Sequence, residues 1–137
     1  MKTLELNYNL ETTTKVGYQA NFLAKDTTYW KQEITQLIKK SKSDKTGINE
    51  RLLGYLSLAS YSYANKAFSQ YNIADLEKIL FIYHLSDPTN PEQALMRSKL
   101  WMLKKDAPNA KACIQEAIQL GAEQNRIDND AVLKALQ

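Results

Sequence analysis

Apolar residues in this chain return every three or four positions, and short polar runs break them at intervals. That spacing predicts helices rather than strands. Val16, Ala20 and Leu23, with Phe22 beside them, form a stripe from about Thr12 to Ala24. Trp30, Ile34, Leu37 and Ile38 form the next, from Thr27 to Lys40. After the polar loop Ser41–Gly47 comes a long helix, about Asn49 to Ser69, with Leu52, Leu56, Ala59, Tyr63 and Ala67 on one face. Tyr55, Leu58, Tyr61 and Phe68 lie on its other faces, so the helix is expected between neighbours or beside a groove. Ile73–Leu85 ends in the apolar run "ILFIYHL" and is expected to be central. Residues 1–10 hold no lasting period and are expected to form an extended arm.

The joints are legible too. In "SDPTNPEQAL" Pro88 stops one helix, because it has no amide proton to continue the ladder. Asn90 can cap the next, Pro91 suits the first helical position, and Gln93 would complete a capping pair. Asp26, Asn72 and Asp106 are the other expected N-caps, and Gly121 is the expected C′ residue after Ala107–Leu120. A polar stretch, "EQNRIDN", precedes a last short helix over residues 130–136. The sum is an all-α single domain of about seven helices. Residues 12–40 form an N-terminal hairpin, and 49–88 and 91–121 form two further hairpins.

A period of 34 residues relates those two hairpins. Ala64 pairs with Ser98, Asn72 with Asp106, Leu76 with Ala110, Leu80 with Ile114 and Tyr83 with Ala117, in class rather than identity. On these residues, with Trp101 after Ser98 and the joint Asp87–Pro88, the chain resembles the tetratricopeptide repeat family over residues 57–122. Arg97, Tyr83 and Leu76 depart from that family's pattern. The resemblance implies hairpins stacked as a short right-handed solenoid, whose first helices line a concave groove for a peptide or a partner's helix.

Composition narrows the function classes. At 137 residues and 44% hydrophobic content the chain can bury a core without disulfide or metal. No run approaches 18 uninterrupted apolar residues, so membrane insertion is not expected. The net charge of +3 does not call for nucleic acid, and Lys39, Lys40, Lys42 and Lys45 read as a solvated helix end. "MKTLELNYNL" lacks the apolar centre of a signal peptide, so the chain is expected in the cytoplasm, or exported after its signal is removed. The lone Cys113 fits either compartment, and the chain could be a piece of a longer protein.

Catalytic constellations are missing. His84 is the only histidine, which excludes a His-based metal cluster or a two-histidine relay. Cys113 lies on the apolar stripe of its helix and reads as an inert core thiol. Asp26, Asp75, Asp87, Glu92, Asp106 and Asp128 stand at expected helix starts or joints, where they would satisfy free amides. No glycine-rich phosphate loop occurs, so neither an enzyme nor a cofactor or metal is expected.

The remaining expectation is partner binding. Carried over by position from the resembling family, the concave face would present Tyr61, Asn65, Phe68 and Ser69, then Leu95, Lys99, Met102 and Leu103. Aromatic and methionine side chains with a few polar groups suit a protein or peptide partner. The same face could instead close a homodimer, or be covered by the N-terminal arm or the last helix. A small-ligand site would need a deep pocket with convergent polar groups, for which the sequence has no constellation. The eight tyrosines read as a packing layer with hydroxyls reaching water.

Overall fold

The structure, a computed structural model, describes residues 2–137, with side chains from Tyr8 onward. Among the described residues it holds eight helices and no strand: α1 Lys2–Asn21, α2 Thr27–Ser41, α3 Ile48–Ser69, α4 Ile73–Ser86, α5 Pro91–Leu103, α6 Ala107–Gln119, α7 Gln124–Asp128 and α8 Ala131–Ala135. The fold is all-α. Successive helices from α2 to α6 pack on one another, α1 packs on α3, and α8 packs on α5.

The structure departs from the sequence reading at three points near the ends. The arm expected over residues 1–10 is helical from Lys2, with Met1 outside the described residues. Extending an existing helix costs little once its later turns are packed, so no apolar period is needed there. The buried stripe of α1 is also not the one expected. Val16 is 60% and Leu23 37% exposed, while Tyr18 and Phe22 are buried. Their rings meet Trp30 of α2 at centroid distances of 5.4 and 5.8 Å, and Phe22 stacks on Tyr63 of α3 at 4.7 Å. Trp30 donates its indole N–H to the Phe22 carbonyl at 3.2 Å, and the Tyr18 hydroxyl donates to Glu33 at 2.8 Å. An aromatic pair four residues apart buries more area than the smaller Val and Ala, and sets the face. At the other end, the polar stretch, to which no element was assigned, is helical. It forms α7, which buries Ile127 completely.

The caps follow the sequence closely. Asp26, Asn72 and Asp106 each accept the backbone N–H three residues on, at 2.9, 3.1 and 3.1 Å. Asn90 caps α5 by accepting from Glu92 N–H at 3.0 Å. Gln93 is no capping partner: it is fully buried, donates to the Pro88 carbonyl at 3.1 Å and accepts from Arg97 at 2.9 Å. The expected loop before α3 is organised by Asp44, which accepts from Thr46 N–H at 2.8 Å and Asn49 N–H at 3.0 Å.

The period of 34 residues has a structural counterpart. α3 and α5 both end with a residue in left-handed backbone, Tyr71 (φ 52°) and Lys105 (φ 60°). In each, the next amide reaches back to close the last turn, Asn72 to Ala67 at 3.0 Å and Asp106 to Trp101 at 2.9 Å. That same Asn72 or Asp106 then caps the following helix. Ala64 and Ser98, Leu76 and Ala110, Leu80 and Ile114, and Tyr83 and Ala117 are all buried.

Two apolar clusters result. The larger joins α1–α4 with Met96 and Leu100 of α5. The smaller joins Ala94 and Leu95 of α5 to Ala110, Ile114 and Ala117 of α6, and to Ile127, Leu133 and Leu136 at the C-terminal end.

Candidate functional site

One stripe of α3 carries the candidate surface. Glu50, Gly54, Ser57, Tyr61, Asn65 and Phe68 follow one another at steps of three or four, so they share a face of the helix. Two depressions open along it. The first, about 530 Å³, lies between α3 and the α4–α5 joint, and is lined by Glu50, Leu53, Gly54, Ser57, Leu58 and Tyr61 of α3 with Tyr83, Ser86, Asp87 and Asn90 opposite. The second, about 400 Å³, is lined by Phe68, Tyr71, Lys99, Met102, Leu103 and Val132.

The expected partner-binding residues therefore divide. Tyr61 borders the first depression, and Phe68, Lys99 and Met102 border the second. Asn65 is exposed on the stripe and lines neither. Leu95 does not belong to the surface: it is 1% exposed, in the smaller cluster with Ile127, Leu133 and Leu136. The C-terminal segment thus covers part of α5. Arg126 holds it there through a paired contact with Glu92, at 3.0 and 2.6 Å, and Lys99 through Asp130 at 3.0 Å. Lys99 also stands 5.2 Å from the Phe68 ring centre, so its charge is already engaged on both sides.

The first depression was hardly legible in the sequence. Leu58 is 70% and Tyr61 42% exposed, so of the two expectations for these faces, between neighbours or beside a groove, the exposure agrees with the second. Gly54 forms part of the floor, in the interior of α3, where a glycine costs about 1 kcal/mol relative to alanine. A Cβ at Gly54 would meet nothing within 4 Å, so packing does not require the glycine. A mid-helix glycine on the same stripe as Tyr61 was the available signal. Asp87 was expected to satisfy free amides. Its carboxylate instead accepts from the Ser57 hydroxyl at 2.8 Å and the Asn90 side-chain amide at 3.0 Å, which ties the joint to α3. Asn90 also donates to the Tyr83 hydroxyl at 3.2 Å. Burial, with Glu92 and Asp87 nearby, pushes the Tyr83 phenol up to about 12, so it stays a neutral hydroxyl.

Glu92, Asp128, Cys113 and His84 line neither depression. Glu92 pairs with Arg126 rather than serving free amides. Asp128 accepts from Gln124 at 2.9 Å within α7, and the cap of α8 is Asp130. Cys113 is buried, and burial raises its thiol pKa. His84 is half-buried, and desolvation with the neighbouring Arg97 holds its imidazole below the ordinary 6.5. Arg97 itself ion-pairs with Glu116. Tyr55 and Tyr63 are half-buried, whereas Tyr61 and Tyr71 are exposed. Among the described residues, no three His, Cys, Asp or Glu side chains could hold a metal ion, and no helix is long and apolar enough to cross a membrane. Compared with known proteins, the chain matches no family model, no curated protein and no solved structure.

Proposed function

We infer that the protein is a non-catalytic interaction module that holds a peptide or helix of a protein partner against the exposed face of α3. The observation that carries this reading is the stripe Glu50–Phe68, which opens two depressions bordered by Leu58, Tyr61, Phe68 and Met102. Exposed Leu58 and Tyr61 with half-buried Phe68 and Met102, held on packed helices, supply contact area with little ordering cost. The repeated turn and the matched buried positions at an offset of 34 residues support a short tetratricopeptide-like solenoid as the frame, with α7 and α8 as its closing cap.

Tyr61→Ala with Met102→Ala tests it. The double variant should keep its helical circular dichroism and lose, at least about tenfold, its retention of a partner in a pull-down from the cell that makes it. A large loss of stability instead would place the two side chains in the core and sink the reading. A homodimer closed over the same face is the second reading, favoured by the exposure of Leu58 and Tyr61. Light scattering across a hundredfold concentration range separates the two: a stable monomer supports partner capture, and a tight dimer that retains nothing supports self-assembly.

A further inference from the structure

The first depression has a definite chemistry. Both charged groups on its wall are carboxylates, Glu50 and Asp87, and no basic residue lines it. Among the described residues neither carboxylate forms an ion pair, whereas Glu92 of the neighbouring α5 is already engaged by Arg126. Glu50 stands two turns before Ser57, the residue bonded to Asp87, so the carboxylates are offset by roughly 10 Å along α3. Gly54 lies between them along α3, and the exposed side chains of Leu58 and Tyr61 follow just beyond Ser57.

We propose that this groove receives an arginine-bearing segment of the partner, with a guanidinium against Asp87 or Glu50 and flanking apolar residues on Leu58 and Tyr61. The inference rests on the partner-binding reading above and adds the partner's charge to it. A guanidinium fits because it forks onto a carboxylate while its flat face lies on a tyrosine ring. The chain's own cations nearby do not fill the role. Arg126 is held by Glu92 and Asp130, and Lys99 by Asp130 at the other depression.

The test titrates the isotope-labelled chain with a decapeptide of alternating arginine and leucine, and separately with its glutamate–leucine counterpart, following backbone amide shifts. The arginine peptide should move the amides of Gly54, Ser57 and Asp87, and the glutamate peptide should not. Glu50→Gln with Asp87→Asn should weaken that binding about five- to tenfold, since both substitutions preserve shape and remove charge. A Cβ at Gly54 meets nothing within 4 Å and leucine favours helix, so Gly54→Leu should block the groove while the chain stays folded. Equal binding of the arginine peptide to the neutralised variant, or equal shifts from the glutamate peptide, would overturn the charge assignment and leave the partner-binding face standing. Amide shifts that follow protein concentration without peptide would put a second copy in the groove and overturn it as well. If neither peptide moves these amides the inference falls, and the pull-down with Tyr61→Ala and Met102→Ala decides separately whether the face binds a partner.

Discussion

Tyr71 and Lys105 hold left-handed backbone at the ends of α3 and α5, where a side chain crowds the following carbonyl. Glycine removes that crowding, as Gly121 (φ 100°) does after α6. Tyr71→Gly and Lys105→Gly should each stabilise the fold by about 0.5–1 kcal/mol, read as a higher urea midpoint. Gly121 was legible because glycine marks such an end. Tyr71 and Lys105 carry no such mark, and only the cap residue after each betrays the turn. Asp44 gives a pH signature. Hydrogen bonds from Thr46 and Asn49 hold its carboxylate below the ordinary 3.8. Its contribution is therefore present above about pH 4 and fades as acid reaches the lowered folded value. Asp44→Asn should be less stable than the parent at pH 7, and the gap should narrow at pH 3 in paired urea titrations.

Among the helices, legibility followed length. Five helices, α2 through α6, were long enough to show a period, and all but α3 carried a side-chain N-cap, so their bounds agree with the sequence to within a residue. α7 spans five residues with one buried side chain, Ile127, and a single apolar residue has no period to read. The face of α1 was misread because Tyr18 and Phe22 are set by a partner, Trp30, that lies on another helix. The same limit hid the fate of Leu95. Its helix was recognised, but the segment that covers it lies about 30 residues further on. Leu133→Ala should cost about 2–4 kcal/mol, because Leu133 is fully buried in the cluster that seats α8 on α5. A drop of under 1 kcal/mol in chemical denaturation would mean that α8 is merely resting there.

For the molecule as a whole, the division into two apolar clusters decides how it comes apart. Among the described residues only α5 contributes buried residues to both, Met96 and Leu100 to one side and Ala94 and Leu95 to the other. The sequence showed α5 as one helix among several. It could not show that α5 is a shared wall, because its two faces are defined by helices on either side of it in the chain. A shared wall allows one side to open while the other stays closed. Hydrogen exchange should therefore release amides in two waves, with α6 to α8 ahead of α2 to α4, and α5 exchanging with the slower set. Leu133→Ala should quicken the first wave and leave the second almost unchanged, so that damage at the C-terminal end stays there and the α3 face keeps its shape.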